Sequence, residues 1–297
     1  MRALSFVNQK GGCGKTTSAI HLGAALVRRG ARVLLVDLDP QAHATLGLGC
    51  EMEVGPSLHD VLSRGTPARE ALRETSGGLT LLPSSARLAE FEEEASQALA
   101  AERRLRRALA PLAPEFDYAL IDCPPRADGV LTANALAATT VAILVVETGA
   151  FALQGALRAL ALIEETARAQ GSRFDVRVLA TLFDRRTRFD REVLVALQAR
   201  FGSLLFETAV RRDVHLREAA ACGRPVQDLA PRSRAALDFA CLAAEVQAQR
   251  LSNGRALVSE DAETNGVLEG ALAASFAPLE LVFSATPERR APIHPVP

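Results

Sequence analysis

The chain has 297 residues, 34 of them basic and 35 acidic, so its net charge of −1 gives no global basic field that would demand a nucleic-acid partner. With 48% apolar and 23% charged residues it can bury a sizeable core, which excludes a chain disordered overall. Five widely spread cysteines without a C-x-x-C pair argue against a disulfide framework or a zinc site, and five histidines at no ligand spacing argue against a histidine metal site. The chain starts on Met1-Arg2-Ala3-Leu4, too abruptly for a secretory leader, and a cytoplasmic location is expected. Short apolar, β-rich runs predict strands at 4–7, 32–37, 79–82, 118–122, 141–147 and 176–183. Helical patterns occupy 16–29, 85–109 and 152–169. The apolar stretch 130–146 carries Thr132, Asn134, Thr139 and Thr140, and reads as a buried helix followed by a strand, not a membrane span. A further strand is expected near 204–210, ahead of helices at 214–221 and 233–249. Strands apolar on both faces and separated by helices predict an α/β fold: one doubly wound domain over 1–250, with a mostly parallel sheet flanked by helices. Residues 251–297 differ, with six acids, three Arg and four Pro after residue 286, and read as a mostly unstructured tail. Its apolar piece, 271–285, is broken by Pro278 and has no basic face, which argues against membrane anchoring.

Of the 34 basic residues 32 are Arg, and the only two lysines, Lys10 and Lys15, bracket one Gly-rich stretch. The first predicted strand runs into Asn8-Gln9-Lys10-Gly11-Gly12-Cys13-Gly14-Lys15-Thr16-Thr17, and a helix follows. A loop between a strand end and a helix N-terminus offers successive backbone N–H groups and the positive end of the helix dipole to an anion. Gly11, Gly12 and Gly14 let the backbone approach phosphate oxygens, while Lys15 can reach the β- and γ-phosphates and the Thr16 hydroxyl can ligate Mg²⁺. The general G-x-x-x-x-G-K-[ST] pattern fails at its first position, which is Gln9, and an extra Lys opens the loop instead.

This deviant P-loop resembles that of the ParA/MinD family of ATPases, on its ParA (Soj-like) side. Val36-Asp37-Leu38-Asp39-Pro40-Gln41 and Ile121-Asp122-Cys123-Pro124-Pro125 look like two further family elements. Phe183-Asp184-Arg185-Arg186-Thr187, the stretch from Arg212-Asp213 to Ala219, and Pro231-Arg232-Ser233-Arg234 continue the resemblance in order over 1–250. It implies ATP and Mg²⁺ as ligands, with Lys10 to Thr17 as the phosphate loop and Arg212 and Asp213 near the base. Phosphoryl transfer to water needs charge neutralisation, a metal and an oriented nucleophile. Lys15 supplies charge. Thr16 holds the metal, Asp122 holds it through water, and Asp37 supports the metal shell or the loop. Asp39 is the candidate to orient the attacking water. The resemblance also implies that Lys10 crosses to the ATP of a second subunit, as a finger supplied in trans to an ATP-sandwich homodimer.

Near-neutral net charge hides a local excess: 177–234 holds 12 Arg against seven acids. Arg185, Arg186, Arg212, Arg217, Arg232 and Arg234 form a candidate surface for nonspecific double-stranded DNA, and Arg186 matches a position the family uses for it. The implied cycle is that of a nucleoid-associated ATPase, stimulated by a ParB-like or cargo-adaptor partner, that positions or segregates a chromosome, plasmid or protein complex. Two alternatives are a MinD-like membrane-associated ATPase and a nucleotide-gated scaffold with little turnover. The chain departs from the ParA pattern in several places. Ala42-His43 stands where Gly-Asn is usual, and Asp213 and His215 replace a usual Asn and Arg. The run after Asp122 is one residue longer than usual, and Glu147-Thr148-Gly149-Ala150-Phe151 replaces a stretch with Gln, Glu and an aromatic.

Overall fold

The expected alternation of strands and helices is present in the computed structural model, which describes residues 1–51, 54–95, 100–126 and 129–248. In chain order the elements begin with β1 (Arg2–Val7), α1 (Lys15–Arg28), β2 (Val33–Asp37), α2 (His43–Gly47) and α3 (Leu58–Arg64). They continue with β3 (Arg73–Glu74), β4 (Thr80–Leu82), α4 (Leu88–Ala95), α5 (Arg104–Leu109), β5 (Tyr118–Asp122), α6 (Val130–Ala138) and β6 (Val141–Glu147). The last are α7 (Ala152–Gln170), β7 (Asp175–Thr181), α8 (Arg188–Phe201), α9 (Val214–Ala221), α10 (Val226–Leu229) and α11 (Arg234–Ala248).

The strands form one seven-stranded sheet in the order β3-β4-β2-β5-β1-β6-β7, parallel throughout except for β3, which runs antiparallel to β4. Its central strands are apolar at nearly every position because both faces are covered. Leu34, Val36, Ile121 and Leu144 pack with α3 to α8 on one face. Leu4, Phe6, Leu35, Leu120 and Ile143 pack with α1 and α9 to α11 on the other. In the centre, β1 lies between β5 and β6, with Phe6 opposite Asp122, while Asp37 is opposite Asp122 across β2 and β5. That register delivers the first loop and two acidic strand ends to one rim of the sheet.

Two expectations are corrected. No regular strand forms at 204–210: this segment makes one isolated bridge, between Val178 and Leu205, and the next, between Phe183 and Arg211, falls just beyond it. The backbone N–H groups of Glu207 and Thr208 turn away to the Glu245 carboxylate on α11, which interrupts the ladder. The single helix expected over 85–109 is broken, with Ala100 in the left-handed region (φ 58°) between α4 and the turn leading into α5. The boundary expected at residue 250 and the tail 251–297 lie outside the described residues.

Candidate nucleotide site

The segment from Asn8 to Gly14 leaves the end of β1 and enters α1 at Lys15. Gly12 and Gly14 adopt φ of +73° and +95°, a region that costs an L-residue roughly 1–2 kcal/mol. A Cβ built on Gly11 or Gly12 meets nothing within 4 Å, so the concave side of the loop is open. The loop is anchored from β7, where the Thr181 hydroxyl donates to the Cys13 carbonyl at 2.7 Å. Cys13 itself is fully buried beneath the loop, and burial pushes its thiol pKa up. Lys15 is 7% exposed, and its Nζ donates to the Lys10 carbonyl at 3.2 Å.

A cleft of about 570 Å³ opens on this loop. Its walls include Gly11, Gly12, Gly14, Lys15, Thr16, Thr17 and Asp39, together with His43 from α2 and Leu182 beyond β7. A larger cleft of about 690 Å³, between α3 and α5, contains none of the residues singled out from the sequence.

The acidic loops reach this cleft through Asp39, Gln41 and Pro125. Both carboxylate oxygens of Asp122 are buried and lack a partner in hydrogen-bonding geometry. Burial and the neighbouring Asp37 push its pKa well above the usual range, while the Thr16 hydroxyl and the Lys15 ammonium pull it down. A partnerless buried carboxylate beside a hydroxyl suits a hard cation, because oxygen donors with room for water are what Mg²⁺ takes. No cluster of three or more His, Cys, Asp or Glu side chains able to hold a metal occurs among the described residues. The Asp122 carboxylate and the Thr16 hydroxyl beside it are the protein oxygens whose chemistry fits such a cation.

Asp37 does a different job. Its Oδ2 accepts both the backbone N–H and the hydroxyl of Thr45 at 2.7 Å, and its Oδ1 accepts the Asp39 N–H at 3.3 Å. Burial raises its pKa to about 6, against the pull of the Thr45 hydrogen bonds. Of the two roles expected for Asp37, this geometry favours organising the loop. Asp39 is the residue so positioned: its Oδ1 accepts the Gln41 N–H, and no hydrogen bond reaches its Oδ2 among the described residues. Ala42 has φ 53° at the entry to α2, which explains why Gly is usual there.

Two predicted base contacts lie elsewhere. Asp213 is the N-cap of α9: its Oδ1 accepts the His215 N–H and lies 2.7 Å from the His215 Nδ1, and its Oδ2 accepts the Ala235 N–H, so its oxygens serve groups outside the cleft. Arg212 joins Arg185, Arg186 and Arg234 around a separate small hollow with Phe183, Asp184 and Arg211. Arg217 and Arg232 are outside that hollow, and carry no ion pair among the described residues, like Arg185 and Arg212. Arg186 is paired with Asp184 at 2.7 Å and Arg211 with Asp238 at 2.6 Å, so both charges are locally balanced. Sequence reasoning missed Thr181, Thr45 and Asn8. Thr181 and Thr45 act by bonding to segments brought near only by folding, and Asn8 ties its own loop to the Val145 carbonyl on β6, a contact that no local pattern marks.

Among the described residues no helix is long and apolar enough to cross a membrane. Residues 1–176 match a family described as "AAA domain". The chain is 40% identical over 250 residues to "Chromosome-partitioning ATPase Soj" of Thermus thermophilus, covering 84% of this chain and 96% of that protein. It is 37% identical over 231 residues to "Chromosome partitioning protein ParA" of Caulobacter vibrioides, covering 76% and 86%. Its fold is similar to a crystal structure of cobyrinic acid a,c-diamide synthase from Mycobacterium smegmatis with bound ADP and magnesium. The TM-score is 0.74 at 32% identity, over 87% of this chain and 100% of that one.

Proposed function

The chain belongs to the ParA/MinD family of deviant P-loop ATPases, and from that premise we propose that it hydrolyses ATP with Mg²⁺ to position or segregate a cargo. ATP joins two copies in a sandwich dimer, the dimer holds DNA without sequence preference, and a partner protein stimulates hydrolysis to release it. The observation that carries the chemistry is the buried, partnerless carboxylate of Asp122 beside Thr16, under an open glycine cradle.

In this reading the backbone N–H groups from Gly11 to Thr17 bind the phosphates. Lys15, released from the Lys10 carbonyl, places its charge on the β- and γ-oxygens. Bound Mg²⁺ supplies further charge neutralisation on the phosphates, with Thr16 and Asp122 as its protein-side holders. The open Oδ2 of Asp39 orients the attacking water, while Asp37, fastened by Thr45, keeps Asp39 at the rim of the cleft. Lys10, half-exposed at the outer tip of the loop, is the residue offered to the second subunit.

DNA binding rests on the hollow of Arg185, Arg186, Arg212 and Arg234 with Arg217 and Arg232 near it in sequence. The guanidinium groups of Arg185, Arg212, Arg217 and Arg232, which carry no ion pair among the described residues, suit phosphate contacts that fix position without reading bases. Nucleoid association follows from such binding.

Asp39→Ala tests the cycle. The variant is expected to bind MgATP, to lose about 10²-fold or more of single-turnover hydrolysis, and to accumulate as a DNA-bound dimer. Unchanged hydrolysis, or a monomer that stays off DNA with ATP bound, would overturn the role given to Asp39.

A further inference from the structure

Lys10 is restrained within its own subunit at three points. Its Nζ lies 2.5 Å from the Glu147 carboxylate at the end of β6. Its backbone N–H donates to Asn8 Oδ1 at 3.1 Å, and Asn8 is tied in turn to β6 through Nδ2 and the Val145 carbonyl at 2.6 Å. Its own carbonyl accepts the Lys15 Nζ at 3.2 Å. The strand beside β1 therefore holds the loop tip by side chain and by main chain, and the second lysine completes the hold. Among the described residues no other acid pairs with Lys10.

We infer that Glu147 is a positioning residue that parks Lys10 in cis and makes its release to a second subunit conditional on nucleotide. The inference rests on the ATP-sandwich reading and specifies how that site is regulated. Phosphates arriving on the loop draw Lys15 off the Lys10 carbonyl, because a phosphate attracts an ammonium more strongly than a neutral carbonyl does. That removes one of the three restraints at the step when a partner subunit becomes useful. The remaining ion pair sits at the surface, with Lys10 54% and Glu147 24% exposed. Pairs of this kind bias an equilibrium by up to about fivefold, enough to suppress premature pairing of empty subunits and weak enough to open. Glu147 opens a stretch, 147–151, that departs from the ParA pattern. Just beyond it, Phe151 is 80% exposed with φ 66°, an apolar side chain presented to solvent by the same loop.

With only two lysines in the full chain, Lys10 can be followed directly. The nucleotide-free protein is treated with an amine-acetylating reagent, and the rates at Lys10 and Lys15 are resolved by mass spectrometry. Glu147→Gln is expected to raise the Lys10 rate about two- to fivefold and leave Lys15 unchanged. Salt near 1 M, which shortens the screening length to about 3 Å, is expected to do the same to the wild type but not to the variant. Stopped-flow measurement of ATP-dependent dimer formation is expected to show the variant faster by a similar factor, and no effect of Glu147→Gln in a Lys10→Ala background. Equal Lys10 reactivity in wild type and variant, with no salt effect, would overturn the parking contact. A freed Lys10 with no change in the rate of dimer formation would overturn the positioning role. If Lys10 is freed and neither protein dimerises with ATP, the sandwich reading fails while the contact stands.

Discussion

His21 makes the nucleotide-free fold sensitive to acid. It sits on α1 beside the cleft, fully packed, with its ring against Phe239 at 5.4 Å between centroids. Its Nδ1 accepts the Val226 N–H at 3.2 Å, and its carbonyl accepts the Gln227 amide at 2.7 Å, so the ring ties α1 to α10. Burial lowers its pKa from 6.5 to about 3. Protonation would also set two donors face to face at Val226. The unfolded state therefore binds a proton that the folded state refuses, and stability rises with pH across the window between those two values. The contribution is complete above about pH 6.5 and lost as pH falls toward 3. At pH 5 the loss is about 1.5 pH units times 1.36 kcal/mol, or about 2 kcal/mol. Asp37 acts with the opposite sign. Its raised pKa means the folded state holds a proton that the unfolded state has lost, so its contribution is present in acid and fades as pH rises through about 6. Comparison with His21→Gln, which keeps an acceptor for Val226, cancels the Asp37 contribution because both proteins carry it. Urea unfolding of both nucleotide-free proteins at pH 7.5 and pH 5.0 measures the difference. The free-energy gap between wild type and variant is expected to shift by about 2 kcal/mol against the wild type in acid. A gap of the same size at both pH values would refute the buried neutral imidazole.

Gly223→Ala places a Cβ 2.6 Å from Gly49 Cα and 2.8 Å from its nitrogen, at a φ of +61°. Backbone on both sides cannot yield, and a loss of about 2–5 kcal/mol is expected in urea unfolding. A loss below about 1 kcal/mol would refute the close approach. Thr181→Val keeps the shape but removes the hydroxyl that holds the Cys13 carbonyl. It is expected to cost about 0.5–1.5 kcal/mol of stability and to weaken MgATP binding by the corresponding factor of about two to twelve, measured by calorimetry, and unchanged binding would count against Thr181 as the loop anchor. Replacing Arg185 and Arg212 together with Ala is expected to lower the slope of log K against log salt for DNA by about 2. Replacing Arg186 and Arg211, already balanced by Asp184 and Asp238, is expected to change it less, and equal effects would sink that distinction.

Strands β5 and β6 fall at the residues expected from sequence, because a strand covered on both faces is apolar without interruption and bounded by turn residues. The segment 204–210 has the same apolar content, from Leu205, Phe206 and Val210, yet forms no strand. What diverts it is a carboxylate on α11 some 37 residues away, a competitor that no local window contains. Helix α3 carries its own local signal in Ser57-Leu58-His59-Asp60, where the Asp60 carboxylate accepts the Ser57 N–H at 3.0 Å. At the site, residues singled out by type and spacing, such as Lys15, Thr16 and Asp39, line one cleft. Asp213 does not, because an acid at the start of a helix serves as a cap as readily as a ligand contact, and sequence alone does not separate the two. Glu147 stood out only as a departure from pattern, and its meaning came from the distance to Lys10.

The two margins of the sheet bear on self-association. One ends in β3, only two residues long and made of an arginine and a glutamate. The other, β7, is screened by the diverted segment whose Phe206 and Val210 N–H groups donate to its carbonyls. Short charged margins and covered ones are what keep sheets from zipping together through their backbones. Among the described residues neither margin offers an open edge for growth by strand addition, which no nucleotide could regulate. The dimer proposed above would instead meet through the rim of loops above the strands, where a bound phosphate could decide whether two copies pair.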